Sequence, residues 1–538
     1  MKTYSLPKYL ALLFPLLVLA IVLYVRIRLL GAPLERDEGE YAYMGQLLLK
    51  GIAPFTHAYS MKLPGVSFVY AFFMFLFGQT PVAIHLGLLI VNAICVYFVY
   101  SITRRLVDRD SARFAAASYA VLSLSSSVNG LFAHATHFVV LFTLAGFLLL
   151  LSFLENRRAS FLFVSGLSFG LAITMKQHAF LLFLFAVCYL IRHLWKSRPI
   201  SKKACLAGSL FLLGSVIPYA LIVLLMCATG KFPDFWFWTM QYAREYAATP
   251  TLADGWFSFS FHFKDISYCQ LPLWLLAGTA CILLGCSNKS FRTDRSFIFG
   301  LLLFSMLAVC PGFYFSGHYF ILLLPALAIM IGAGIGSTQH LFVSTQASKR
   351  CTYTLVVLLI LAIGFSLYRE RRIYFTLTPR MVSRTVYGLN PFPEALPIAE
   401  YLKNNSSPGE QIIVLGSEPE IYFYADRISA SGYIYMYGLM ENQPYAERMQ
   451  AQMIKEIESA RPKYIVNVHV DMSWLTQDSS VKTLLKWGGP YVRDFYDQVG
   501  LIDIIDQNTT RYYWDASALT HNPVSESYVV VYKRRSAR

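Results

Sequence analysis

Four carboxylates and one guanidinium crowd into eight residues, Leu34-Glu35-Arg36-Asp37-Glu38-Gly39-Glu40-Tyr41, directly after the first long apolar run. Ionisable groups at the edge of a bilayer are costly to keep and usually functional. A carboxylate there can take a proton from an acceptor hydroxyl or amine, and Asp37 suits that role. Glu38 can support it, or instead cap the helix that follows, as acidic residues do in a first turn. Arg36 can neutralise a neighbour, and Glu35 and Glu40 read as solvated. Lys62 lies further along the same loop, ahead of Pro64-Gly65. Its ammonium can hold a phosphate as a point charge, or simply reach toward lipid headgroups. His134, His137, Lys176, His178, His318 and Tyr319 fall on other turns. Singly each reads as a structural hydrogen-bonder; jointly, with Arg36, they can line a polar cavity. His134 and His137 share a helical face at i,i+3 spacing, but two ligands do not make a zinc-type metal site.

The composition says what kind of chain carries these residues. Hydrophobic types make up 56% of the 538 residues and charged types 14%, against about a quarter charged in a soluble domain. Apolar runs long enough to span a hydrocarbon core recur through the first two thirds. The formal charge of +15 would suit a nucleic-acid binder. The Lys and Arg residues, however, sit in short turns between apolar runs, where they orient helices. The partner they indicate is the bilayer, and no nucleic acid. All nine cysteines lie at or before Cys351, mostly in apolar runs, so no disulfide framework is indicated. Residues 1–30 have a basic start and an apolar run with no small-residue cleavage site, which reads as a retained first helix. A Walker sequence, zinc-type cysteine pairs and a nucleophile elbow are all missing. ATP hydrolysis and serine hydrolysis are therefore set aside.

The spans that position the candidates number about eleven: 9–30, 81–102, 115–125, 138–153, 161–173, 179–191, 206–227, 271–286, 297–310, 320–335 and 353–368. Alternate turns carry Arg104-Arg105, Arg157-Arg158, the run from Arg192 to Lys203, Lys289 to Arg295, and Lys349-Arg350. Those turns read as cytoplasmic, as does the N-terminus with Lys2 and Lys8. The loop 31–79 and the histidine-bearing turns then face outward. Arg26, Arg28, Arg369, Arg371 and Arg372 run against this pattern. Within the first outer loop the run 66–77 is too short to span and reads as interfacial or re-entrant. A second long outer loop, 228–270, carries Trp236, Trp238, Tyr242, Tyr246 and Trp256, types that favour the headgroup level. Residues 1–370 thus form a transmembrane domain, and 371–538 a soluble α/β domain outside the cytoplasm. In the latter, helices are expected at 393–403, 420–424, 445–460 and 481–487. Strands are expected at 411–416, 427–434, 463–470 and 528–533.

Several motifs, in order, resemble the C-type (GT-C) glycosyltransferase superfamily, in its protein O-mannosyltransferase and aminoarabinose transferase branch. They are Arg36-Asp37-Glu38 after the first span, Lys62-Leu63-Pro64, Gly78, Arg104-Arg105-Leu106, Thr174-Met175-Lys176, and His318-Tyr319-Phe320 before Leu324-Pro325-Ala326-Leu327. The resemblance implies a sugar donor on a polyprenyl phosphate, an acceptor outside the cytoplasm, and inversion at the anomeric carbon. Asp37 matches the family's catalytic Asp, and Lys62 a lysine on the donor phosphate; Lys176 is assigned the same kind of role. The residue before that lysine in aminoarabinose transferases is acidic and helps bind a metal. Here it is Met61, so no cofactor is assigned and a divalent metal stays only an option. The expectation is a multi-pass protein of a bacterial inner membrane. A transporter or flippase of a lipid-linked substrate is the rival, but it would favour broken or charged helices at mid-membrane and related halves.

Overall fold

The computed structural model describes residues 9–196, 202–286, 294–338 and 345–535. Lys2, Lys8, Arg198, Lys289 and Arg292, used above to orient the spans, lie outside the described residues. The chain divides into two compact units. The first comprises Met1–Leu29, His85–Leu224 and Pro250–Thr376, and the second Leu30–Ile84, Leu225–Thr249 and Leu377–Arg538.

Each expected span meets a helix: Phe14–Arg28, Pro81–Leu106, Arg109–Leu122, Ala135–Asn156, Ala159–Met175, Ala179–Lys196, Lys202–Ala228, Leu252–Cys286, Arg295–Val309, Leu324–Ser337 and Thr345–Arg369. Among the described residues six helices are long and apolar enough to cross a membrane. Helix is the form such runs take because hydrocarbon offers the backbone no outside hydrogen-bond partner. The expected outer loop 228–270 is instead largely helical. It holds Phe232–Trp236, a π-helical turn Phe237–Tyr242, Ala243–Ala248 and the start of Leu252–Cys286. That last helix breaks at Gln270 (φ −130°, ψ 15°), just before Pro272, where a proline removes a donor and restricts the residue ahead of it.

Within the first unit Leu324–Ser337 is buried along its whole length, as an all-apolar helix must be. Its glycines permit close neighbours: a Cβ at Gly332 would lie 2.5 Å from the Ser111 carbonyl oxygen. Small residues bring membrane helices together in this way. Arg26, which ran against the charge pattern, is buried and donates to the carbonyls of Ser123 (2.8 Å) and Gly130 (3.1 Å). It satisfies backbone acceptors of the turn after Arg109–Leu122, so its position reflects packing rather than membrane orientation.

The second unit is built on a five-stranded sheet: β1 (Ile412–Leu415), β2 (Tyr464–His469), β3 (Tyr496–Ile504), β4 (Thr510–Trp514) and β5 (Tyr528–Arg534), in the order β1-β2-β5-β3-β4. β1 and β2 are parallel and the other pairings antiparallel. The expected strand at 427–434 is not formed; Ser429 makes only an isolated bridge to Ile412. The β3–β4 hairpin was not anticipated from the sequence. Its turn is closed by Asp506, whose Oδ1 accepts from the amides of Asn508 (2.7 Å) and Thr509 (2.8 Å), the local bonding that makes Asp a turn former.

The acidic loop belongs to this unit and is tied to the sheet domain throughout. Helix Arg36–Leu49 begins with a capping box: Glu35 accepts from the Glu38 amide (2.9 Å) and Glu38 from the Glu35 amide (3.2 Å). Two otherwise orphaned donors are satisfied reciprocally. The helix lies so close to Glu420 that a Cβ at Gly39 would come within 2.6 Å of the Glu420 nitrogen. The Tyr43 hydroxyl accepts from the Ser429 amide (2.8 Å), and the Tyr424 hydroxyl from the Leu34 amide (2.8 Å). Helix Gly65–Phe77 packs Tyr70, Ala71 and Met74 inward, with Gly45 against Met74 and Ala71, and leaves Phe68, Phe72 and Phe75 exposed. Trp238 and Tyr242, expected at the headgroup level, are buried. The Trp238 ring lies 5.6 Å from Tyr59 and 5.8 Å from Tyr433.

Candidate functional site

The second unit gathers Asp37, Glu40, Lys62 and Tyr435. Asp37 and Glu40 are three residues apart, so one face of helix Arg36–Leu49 presents both. Lys62 Nζ bridges them, at 2.7 Å from Asp37 Oδ1 and 2.5 Å from Glu40 Oε2. The same ammonium lies 4.7 Å from the Tyr41 ring centroid and 5.3 Å from that of Tyr435. Tyr435 Oη donates to Asp37 Oδ1 at 2.9 Å. Glu40 is 3% exposed. Burial, reinforced by Asp37, pushes its carboxyl above the ordinary range, while Lys62 pulls it back. Burial opposes the Lys62 charge, but Asp37 and Glu40 together outweigh it and hold the ammonium well above the usual lysine value. Burial and the same two carboxylates raise the Tyr435 phenol well above its ordinary value, so it remains a donor.

Beside this cluster Arg36 is locked in place. Its guanidinium donates to the Ser417 carbonyl (2.6 Å), Asn390 Oδ1 (2.9 Å) and Glu418 Oε1 (3.1 Å), and lies 5.2 Å from the Tyr437 ring. Glu418 is in turn bonded by Ser473 Oγ at 2.7 Å. The arrangement leaves a carboxylate, Asp37, fixed by two donors on one oxygen and backed by a buried ion pair. Such a group can accept a proton from a substrate with little reorganisation.

The first unit holds a basic group. His134 ends the turn before helix Ala135–Asn156, and its ring stacks on that of His318 at 4.4 Å with an interplanar angle of 7°. Lys176 Nζ lies 3.4 Å from His318 Nε2 and 3.8 Å from the Tyr319 ring centroid. The His178 ring meets the Tyr319 ring edge-on at 4.8 Å. His137 is buried in the first turn of helix Ala135–Asn156, and neither ring nitrogen meets a hydrogen-bond partner among the described residues. An ammonium beside the His318 imidazole and over the Tyr319 ring is a positive charge that an anion can meet.

Residues 57–222 match the family model for dolichyl-phosphate-mannose-protein mannosyltransferase. The fold is similar to that of ArnT from Cupriavidus metallidurans bound to undecaprenyl phosphate. The TM-score is 0.60 at 13% identity, over 96% of this chain and 98% of that one. It is also similar to the oligosaccharyltransferase AglB from Archaeoglobus fulgidus, solved with an inhibitory peptide and a dolichol-phosphate. There the TM-score is 0.52 at 12% identity, over 95% of this chain and 75% of that one. No curated protein sequence matches the chain. The chain shares the fold of ArnT and AglB.

The sequence candidates are divided between the two units. Asp37, Glu38, Arg36 and Lys62 share the second unit, and His134, His137, Lys176, His178, His318 and Tyr319 the first. Glu38 spends its carboxylate on the capping box, and Lys62 is engaged by two carboxylates. Glu35 and Glu40, expected to be solvated, are buried. Tyr435, Tyr437 and Glu418 were not singled out from sequence, and nothing local could have flagged them, because Tyr435 is 398 residues from Asp37. Glu40 had a signal in its i,i+3 spacing from Asp37. Met61 stands where the resemblance places an acidic metal ligand, and a thioether is a poor donor for the hard cations that carboxylates take.

Proposed function

We propose that the protein is a membrane glycosyltransferase that moves a sugar from a polyprenyl-phosphate donor to an acceptor outside the cytoplasm, with Asp37 as general base or acceptor-orienting residue. The observation that carries the reading is the Asp37 carboxylate held by Lys62 and Tyr435, in a chain whose residues 57–222 match a mannosyltransferase family model. The acceptor oxygen or nitrogen attacks the anomeric carbon and its proton passes to Asp37. The bond from that carbon to the phosphate oxygen breaks, and its electron pair leaves with the polyprenyl phosphate. Direct displacement inverts the anomeric centre. Lys176, with His318 beside it, supplies positive charge for a phosphate. Lys62 instead organises the two carboxylates, since both already claim its charge.

The ligands of ArnT and AglB, undecaprenyl phosphate and a dolichol-phosphate, support a lipid-carried donor. The alternation of basic and charge-poor turns supports an N-terminus in the cytoplasm and the sheet domain outside it. Asp37→Asn tests the reading. Transfer from a polyprenyl-phosphate sugar is expected to fall by a factor of about 10² to 10⁴ with protein levels intact. Wild-type transfer by this variant removes Asp37 from the chemistry, and a C-terminal reporter found in the cytoplasm overturns the orientation.

A further inference from the structure

The segment from Gly432 to Gly438 carries tyrosines at every second position: Tyr433, Tyr435 and Tyr437. Each meets the first loop. The Tyr433 ring lies 5.1 Å from Tyr59, the Tyr435 hydroxyl 2.9 Å from Asp37 Oδ1, and the Tyr437 ring 5.2 Å from the Arg36 guanidinium. The segment is pinned on both sides of Tyr435. The Gly432 carbonyl accepts from the Tyr59 amide (2.7 Å), and the Gly432 amide donates to Glu456 Oε2 (3.1 Å). The Met436 amide donates to Ser417 Oγ (2.9 Å), and Tyr437 Oη to the Met472 carbonyl (2.7 Å).

We propose that Tyr435, supplied by the C-terminal sheet domain, is a positioning residue for the Asp37 carboxylate, so that this domain completes the catalytic loop. This rests on Asp37 acting in transfer as argued above. Lys62 alone is a poor positioner. Its stem carries several rotatable bonds, and its ammonium is divided between Asp37 and Glu40. A phenol turns about only two side-chain torsions and here stands on a backbone anchored at Gly432 and Met436. Two donors converging on Oδ1 fix the plane in which the carboxylate meets an acceptor proton. Tyr435 keeps its own proton throughout, and the proton released in transfer goes to Asp37. A charge-assisted bond of this kind is about twice as strong as a neutral one, so deleting only the hydroxyl leaves a measurable loss.

The test uses the full-length protein, reconstituted with a polyprenyl-phosphate sugar, and compares Tyr435→Phe, Tyr435→His and Asp37→Asn. Tyr435→Phe should still unfold cooperatively within a few degrees of wild type, lower kcat by roughly 10- to 100-fold, and leave the donor KM unchanged. Tyr435→His restores a ring N–H donor and should recover part of the lost kcat. Wild-type kcat in Tyr435→Phe, or a change confined to KM, overturns the positioning role while an inactive Asp37→Asn leaves the Asp37 reading standing. A His variant no faster than Phe also overturns it. An active Asp37→Asn removes both readings together.

Discussion

Arg36 Nη2 and Glu418 Oε1 form an ion pair at 3.1 Å across 382 residues of sequence. Glu418 is fully buried and Arg36 nearly so. The pair joins the first turn of the Asp37 helix to the loop after β1. Removing one partner leaves a buried charge uncompensated, which costs about 3–5 kcal/mol. Glu418→Ala is therefore expected to lower the unfolding temperature of the purified protein by several degrees and to reduce transfer. Wild-type unfolding and wild-type transfer in this variant would show that the loop is held by other contacts.

Glu420 makes a second, pH-dependent contribution. It is fully buried, and neither carboxylate oxygen finds a hydrogen-bond partner among the described residues. Burial, with Glu418 adding to it, pushes its carboxyl well above the ordinary range. A group whose folded pKa is raised contributes stability that is fully present below the unfolded value, about 4.3 for Glu, and is lost as pH rises toward the folded value. Glu420→Gln mimics the neutral form at every pH. The variant should match wild type near pH 4 and unfold at a higher temperature at pH 8. Parallel unfolding curves for the two proteins across that range would mean that Glu420 does not titrate in the fold.

Lys176 is expected to act on the donor. With Lys176→Met, kcat/KM for a polyprenyl-phosphate sugar should fall by roughly 10- to 100-fold, the scale of one hydrogen bond to a charged group. Inhibition by free polyprenyl phosphate should weaken in step. Unchanged inhibition would move the phosphate away from the Lys176–His318 pair.

The membrane helices were legible because hydrocarbon imposes a simple rule. A run must be apolar and long, and its backbone must bond to itself. Each expected span accordingly coincides with a helix. The rule is silent about aromatic and mixed stretches, which is why residues 228–270 were expected as a loop and are largely helical. It also misled at Arg26, where burial against the Ser123 and Gly130 carbonyls replaced the orienting role. In the sheet domain β1, β2 and β5 announced themselves as apolar runs. β3 mixes polar and apolar residues although its second half is buried, and β4 is only partly buried; a hairpin of that kind is specified by cross-strand pairing more than by its own composition.

Asp37 itself could be picked out before any coordinates, because an acidic cluster at the end of a first span is expensive and therefore conspicuous. The residue types and their order also pointed to the fold that the chain shares with ArnT and AglB. The partners of Asp37 were a different matter. Glu40 follows from helical periodicity, but Lys62, Tyr435 and the Arg36–Glu418 pair depend on chain returning to the loop from 22 to 398 residues away. Local sequence carries composition and periodicity, which set helices, caps and spans. Which distant hydroxyl reaches Asp37 Oδ1 is decided only when the sheet domain closes on the loop, because a hydrogen bond is a matter of tenths of an ångström that no spacing along the chain encodes.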